Sequence, residues 1–444
     1  MTATVRNRYA FAPIAPSSPH ADQKGRSSND DEWKSDTQPF YATFTKMCPP
    51  ALLYSILFNG LLRLLGYFPF TSLLRINPST LHAEDCFMTS KSSQPPIAII
   101  TGSNTGVGFE TAKGLVQRGY HVILACRSRQ KGLDAAEKIN ACCGAEADSN
   151  NTVGEASFLQ PLDLASFASI RSFYKAFSEK YDSLNILVNN AGINSQGDVT
   201  EDGLEICFQS NFVGHFLLTK LLIPSLLKAK NTYRSNEFKD EAGRIVNLSS
   251  VTHHFAPSNE RTHPSSDVSE NNGIHDKHFW LGSAMPGIST ATYRESKLAS
   301  ILFTIELNKR FREKGIRSIA VNPGSVSSDI WRNESVLTQK LYRMVYLTPK
   351  QGSSTSIAGS IGNLPIDAIY LQPYWQPVIR RKLLQSTNQS FQRNYPLPFP
   401  LFEMLGPYIS HSVTLPRLPA DGSGGYKSSG QLWEVCNNLT AAAD

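Results

Sequence analysis

Seven short apolar runs punctuate the chain between residues 97 and 371, and stretches of helical length separate them. The runs are IAII (97–100), HVILA (121–125), ASFLQ (156–160), NILVN (185–189), RIVNL (244–248), SIAVN (318–322) and AIYL (368–371). Apolar strands of this kind belong in a sheet covered on both faces. The stretches Val107–Arg118, Ser166–Lys180, Thr200–Lys228 and Tyr293–Lys314 are long enough to be covering helices. Strand–helix alternation builds βαβ units with right-handed crossovers. The pattern therefore predicts an α/β fold: a doubly wound parallel sheet, the Rossmann architecture, as a single domain over 96–372.

The flanks differ in character. Residues 1–47 are rich in Ser, Pro, Asp and Lys without apolar periodicity, which predicts a disordered N-terminal region with no cleaved secretory signal. Within 48–75, the eighteen residues Ala51–Phe68 carry one charge, Arg63, and Pro69 ends the run. As a helix that stretch is about 27 Å long, just short of a ~30 Å hydrocarbon core. Membrane association through 49–75, spanning or interfacial, is the expectation, with an apolar helix packed on the domain as the alternative. Residues 76–95 read as a linker. Residues 373–444 form a C-terminal extension rich in Pro and aromatics, whose SGQLWEVCNNLTAA end predicts a closing amphipathic helix.

Three places carry chemistry. The first strand runs into Thr101-Gly102-Ser103-Asn104-Thr105-Gly106-Val107-Gly108. Glycines there let backbone approach a pyrophosphate, and the next helix aims its positive N-terminus at the anion. At the end of the second strand, an acidic residue would bind the ribose hydroxyl of NAD, and an arginine accommodates the 2′-phosphate of NADP. The chain reads Leu124-Ala125-Cys126-Arg127-Ser128-Arg129, so Arg127 points to NADP(H), with a solvated surface arginine as the alternative. Tyr293 and Lys297, at i and i+4, share one helix face. A phenol titrates near ~10, and a neighbouring ammonium lowers that value, which suits reversible proton transfer to a carbonyl oxygen.

Together these motifs resemble the short-chain dehydrogenase/reductase family. The glycine loop matches its TGxxxGxG, Asn189-Asn190-Ala191-Gly192 its NNAG, and Asn247-Leu248-Ser249-Ser250 the strand that carries its catalytic serine. Asn211 in SNFVGHF matches the helix asparagine, Tyr293 and Lys297 match YxxxK, and Pro323-Gly324 follows the sixth strand as PG does there. Asp163-Leu164 matches the acidic position beside the adenine. Within the family, VILACR, NFVGHFLLT and LWEV resemble retinol dehydrogenases and their relatives.

That resemblance implies an NADP(H)-dependent oxidoreductase for a lipophilic alcohol or carbonyl, of retinal, steroid or fatty-aldehyde type. It implies that Ser250 binds the substrate oxygen and Tyr293 moves the proton. Lys297 would bind the nicotinamide ribose and lower the Tyr293 pKa, while Asn211 positions a relay water. Gly102 to Gly108, Arg127, Asp163, Leu164, Asn190, Ala191, Gly192, Tyr293, Lys297, Pro323 and Gly324 would contact the cofactor. It also implies a membrane-associated enzyme with its domain in a reducing compartment, such as the cytosolic face of the endoplasmic reticulum. Three features depart from the pattern: a long interval between Ser250 and Tyr293, Ser328 where the family has threonine, and the unmatched segment 373–419.

A protochlorophyllide reductase-like enzyme is the nearest alternative, although its relatives lack the Ser249-Ser250 ending of the fifth strand. A non-enzymatic NADPH-binding sensor or scaffold is the alternative of another class, and such proteins lose the Tyr, Lys or Ser that this chain keeps. The balance of 43 Lys+Arg against 37 Asp+Glu includes no long basic block, so nucleic acid is not an expected partner. Five histidines between 251 and 292 lack metal-ligand spacing, so no metal is expected. Seven cysteines without a CxxC pair fit a reducing compartment better than a disulfide framework.

Overall fold

Each of the seven apolar runs forms a strand. They are β1 (Ile97–Thr101), β2 (His121–Ala125), β3 (Glu155–Phe158), β4 (Ile186–Asn189), β5 (Gly243–Leu248), β6 (Ile316–Val321) and β7 (Tyr370–Tyr374). The computed structural model describes residues 95–145, 153–195, 197–229, 243–256, 283–284, 292–331, 335–362, 364, 369–374, 410–414 and 426–441. The expectations for residues 1–94, including the apolar segment, lie outside the described residues, as do those for most of 251–292 and 373–419.

The seven strands pair in parallel in the order 3-2-1-4-5-6-7. Successive residues of each central strand point to opposite faces, and both faces are apolar. Ile99, Ile123, Leu187 and Ile245 enter one buried cluster, while Ile100, Leu124, Val188 and Val246 enter the other. That is why these strands read as unbroken apolar runs.

Eight helices are used below: α1 (Gly106–Val116), α2 (Arg129–Ala145), α3 (Phe167–Lys180), α4 (Ile206–Leu227), α5 (Thr292–Phe311), α6 (Val336–Val345), α7 (Pro349–Ile361) and α8 (Tyr426–Ala441). Residues of α3, α4, α5 and α8 share one cluster, and those of α1, α2 and α7 the other. Helix α4 is long and apolar enough to cross a bilayer, but 78% of its most apolar window is buried inside the domain. A helix apolar all round is what a sheet-covering core position requires.

Three elements differ from the expectations. The stretch expected to be helical from Thr200 becomes helix only at Ile206, because the Glu205 side chain accepts from the Phe208 amide and caps it there. Helix α7 announces itself in the sequence as Thr348-Pro349-Lys350-Gln351, a capping box with proline at the first turn, which periodicity alone passes over. An eighth strand, β8 (Ser410–Thr414), lies antiparallel on the free edge of β7. It is short and largely polar, as an edge strand can be, and Pro373 in β7 sits beyond the residues that β6 pairs.

The closing helix forms as expected, and α8 is an integral part of the core. Trp433 packs edge-on against Phe216 at 5.0 Å between ring centroids and lies under the Arg310 guanidinium at 4.5 Å. Ser429 donates to Glu306 at 2.8 Å. Strand β1 has β2 on one side and β4 on the other, so the chain's winding reverses there and leaves a crevice at the carboxyl ends of the strands.

Candidate active site

The loop from β1 to α1 lies in that crevice. Gly102 and Gly106 both have φ +63°, a conformation that side-chain-bearing residues rarely adopt. A Cβ on Gly102 would stand 2.9 Å from the Ala191 Cα, and one on Gly108 would stand 2.5 Å from the Gly102 carbonyl oxygen. Only bare backbone fits both places. Ser103 is buried, its hydroxyl donating to the Ile100 carbonyl at 2.8 Å, while Asn104 is half-buried. Thr105 makes no side-chain cap to α1, whose first turn holds no acidic residue. A helix whose first turn has neither a side-chain cap nor an acidic residue of its own is a fitting place for a pyrophosphate.

Thr101 binds this loop to the turn after β4. Its Oγ1 accepts from the amides of Asn190 and Ala191, both at 2.9 Å, and the Asn190 Nδ2 donates to the Thr101 carbonyl at 2.7 Å. The segment after β6 closes over the same place: Thr105 donates to Asp329 at 3.1 Å, and Ser328 lies 3.6 Å from where a Gly106 Cβ would be. Gly324, after Pro323, has φ +81° and donates its amide to the Asn322 side chain at 3.0 Å.

Arg127 follows β2 and is exposed. Asp163 is half-buried between β3 and α3, where its carboxylate accepts from the Ala165 amide at 3.0 Å. The Leu164 carbonyl lies against Gly214 of α4, where a Cβ would collide with it.

A second group assembles where α4, β5 and α5 meet. Lys297 is 4% exposed, and its ammonium donates to the Leu248 carbonyl at 3.1 Å while lying 5.4 Å from the centre of the Tyr293 ring. Burial pushes its pKa down from 10.5 to about 8. A Cβ on Gly192 would stand 3.4 Å from that ammonium nitrogen and 3.5 Å from the Asn211 Oδ1. The Asn211 side chain accepts from the Ile193 amide at 2.7 Å and donates to the Ile193 carbonyl at 2.9 Å, thereby holding the turn after Gly192. The structure thus sets the Lys297 ammonium beside the Tyr293 ring, with Gly192 next to both that ammonium and Asn211.

The two serines that end β5 differ. Ser249 is buried, and its hydroxyl donates to the Lys297 carbonyl at 2.8 Å. Ser250 is half-exposed, and its Oγ accepts from the Thr252 amide at 3.3 Å. The serine singled out by motif is therefore the one with a hydroxyl hydrogen free of that bond.

Sequence reading gave no role to two residues here. Cys207 lies against Asn211, whose Nδ2 donates to its sulfur at 3.2 Å, and burial raises its pKa. His215, one turn after Asn211 on α4, is buried, and burial pulls its pKa down to about 4. Its i+4 spacing from Asn211 was the available signal. Among the described residues no group of three His, Cys, Asp or Glu converges to hold a metal.

The chain is similar in sequence to known proteins. A family profile described as short chain dehydrogenase matches residues 96–263. Retinol dehydrogenase 11 of Mus musculus is 39% identical over 264 residues, 59% of this chain and 72% of that protein. Retinol dehydrogenase 12 of Bos taurus is 37% identical over 265 residues, with 59% and 72% covered. Polyprenol dehydrogenase of Homo sapiens is 33% identical over 272 residues, with 60% and 72% covered.

Proposed function

The chain belongs to the short-chain dehydrogenase family and is an oxidoreductase acting on CH–OH and C=O groups, and on that footing we propose that it is an NADP(H)-dependent enzyme for a lipophilic alcohol or carbonyl. The observation that carries the reading is the buried Lys297 ammonium beside the Tyr293 ring, facing Asn211 across Gly192. A cation held in a low-dielectric site stabilises phenolate strongly and so suits Tyr293 to proton transfer near neutrality.

When bound, the nicotinamide supplies or accepts the hydride. Gly102, Gly106, Gly108 and the start of α1 would hold the pyrophosphate, and Asp163-Leu164 would face the adenine. Arg127 would meet a 2′-phosphate, and its exposed position with no carboxylate at the strand end favours NADP(H) over NAD(H). Lys297 would hold the nicotinamide ribose.

Ser250 orients the substrate oxygen through its hydroxyl. Tyr293 gives that oxygen a proton during reduction and takes it back during oxidation. Asn211 keeps the 191–193 turn beside Lys297 and would position a relay water, as the family resemblance implies. The substrate class rests on the names of the similar proteins, which act on retinol and polyprenol. Residues 49–75 are proposed as the membrane attachment that brings the domain to such substrates.

The test uses purified full-length protein with NADPH or NADH against all-trans-retinal, a ketosteroid, a long-chain aldehyde and a quinone. NADPH is consumed with at least one lipophilic carbonyl, and Tyr293→Phe lowers kcat by about 10²–10⁴-fold with NADPH affinity nearly unchanged. Wild-type turnover in Tyr293→Phe would sink the mechanism. Recovery of the full chain in the soluble fraction without detergent would remove the membrane attachment.

A further inference from the structure

His215 joins the two halves of the site through bonds that leave its ring one protonation state. Its Nδ1 lies 2.9 Å from the Asn211 carbonyl oxygen, and its Nε2 lies 2.8 Å from the Thr101 Oγ1. A carbonyl only accepts, so Nδ1 carries the hydrogen. The ring is 3% exposed and its basicity is depressed by burial, so it is neutral at pH 7 and Nε2 is bare. Nε2 therefore accepts the one hydrogen that the Thr101 hydroxyl has.

That donation sets the orientation of the hydroxyl. Both its lone pairs then receive the amides of Asn190 and Ala191, at 2.9 Å each. The other acceptor in reach, the Val188 carbonyl, lies at 3.4 Å, a weaker bond. Thr101 is saturated: one bond given and two taken. The Asn211 end is equally particular. It lies in the π-helical turn Gln209–Val213 that interrupts α4, a feature frequent at functional sites.

We propose that His215, as the Nδ1–H imidazole, is a positioning residue that sets the glycine loop and the Asn190–Gly192 turn in register with Asn211 on α4. It touches neither nucleotide nor substrate; it acts through Thr101 on one side and the Asn211 backbone on the other. The inference rests on the reading that these two loops hold NADP(H). It assigns the first loop's geometry to a bond from a third element, which the glycine pattern does not contain.

Two half-replacements separate the ends of the ring. In His215→Gln, the Oε1 can take the place of Nε2 and accept from Thr101. In His215→Asn, the Nδ2 can take the place of Nδ1 and donate to Asn211, leaving the Thr101 hydroxyl without its acceptor. NADPH dissociation constants of the full-length proteins are measured by quenching of tryptophan fluorescence, alongside thermal unfolding. The expected result is His215→Gln within about threefold of wild type and His215→Asn weaker by about tenfold. Thr101→Val weakens binding by a similar factor, and Thr101→Ser, which keeps the hydroxyl, restores it.

A residue that only fills space would lower the melting temperature of both His215 variants and leave both affinities alike; that outcome overturns the proposal. A measurement on wild type guards against variants that do not fold. In protein labelled with ¹⁵N-histidine, the His215 ring should show a protonated Nδ1 and a bare Nε2 at pH 7. An imidazolium or a protonated Nε2 overturns the proposal. Failure of wild type to bind NADPH at all would sink the nucleotide reading and this inference with it, whereas equal affinities across a binding series sink this inference alone.

Discussion

Replacing Lys297 by methionine should raise stability at neutral pH, or hold it, while removing activity. The lysine is 4% exposed, and its pKa falls from 10.5 to about 8 because burial strips water from the ammonium. At roughly 1.4 kcal/mol for each pH unit, the folded state bears about 3 kcal/mol for keeping that charge at pH 7. Methionine is of similar length and uncharged, so it removes this term. It also loses the bond to the Leu248 carbonyl, worth about 1–3 kcal/mol when the donor is charged. The net change at pH 7 is therefore a gain of about 0–2 kcal/mol.

The pH dependence separates the terms. A cation whose folded pKa is depressed carries its full penalty below about 8 and sheds it as pH rises toward 10.5. In that window the unfolded chain binds more protons than the folded one, so wild-type stability rises relative to the variant. The difference between the two proteins should move by about 2–3 kcal/mol from pH 7 to pH 10, since groups that do not sense Lys297 titrate alike in both. Urea unfolding at several pH values measures it. Parallel curves, with the difference constant to about 0.5 kcal/mol, would refute the account of Lys297 as a cation held against burial.

Other outcomes follow from single contacts. Gly108→Ala places a methyl group against the Asn190 side chain and the Gly102 carbonyl, so the loops must part; a loss of about 1–3 kcal/mol in stability with weakened NADPH binding is expected from calorimetry and titration. Arg127→Asp should move cofactor preference toward NADH, weakening NADPH by about tenfold or more, as steady-state kinetics with both cofactors would reveal. Ser249→Ala removes a buried bond to the Lys297 backbone and should cost about 1 kcal/mol of stability, whereas Ser250→Ala should slow turnover with the melting temperature nearly unchanged. Equal effects from both serines would contradict the division between them.

Much of the site was legible because its motifs are local. Strand, glycine loop and helix follow one another along the chain, so the glycine pattern reads as one motif even though the close approach at Gly102 comes from Ala191. Tyr293 and Lys297 meet because a helix turn brings i and i+4 together. The motif singled out Ser250, but the physical reason lay outside it, since that depends on which hydroxyl faces the Lys297 carbonyl 48 residues along the chain. Strand β8 escaped because five mostly polar residues on an edge carry no periodic signal. His215 escaped because its partner Thr101 is 114 residues away.

By itself, the alternation of apolar runs with helical stretches pointed to a parallel sheet buried on both faces, since crossover helices cover both sides of such strands. The glycines, Arg127 and the Tyr293–Lys297 spacing pointed to the chemistry proposed for the carboxyl ends of that sheet's strands. Only the tertiary structure decided how the pieces act on one another: the burial that lowers the Lys297 pKa, the saturated hydroxyl of Thr101, and the place of α8 against Phe216 and Arg310. These depend on the low dielectric and close packing of a folded interior, and neither exists until segments distant in the chain have excluded water together.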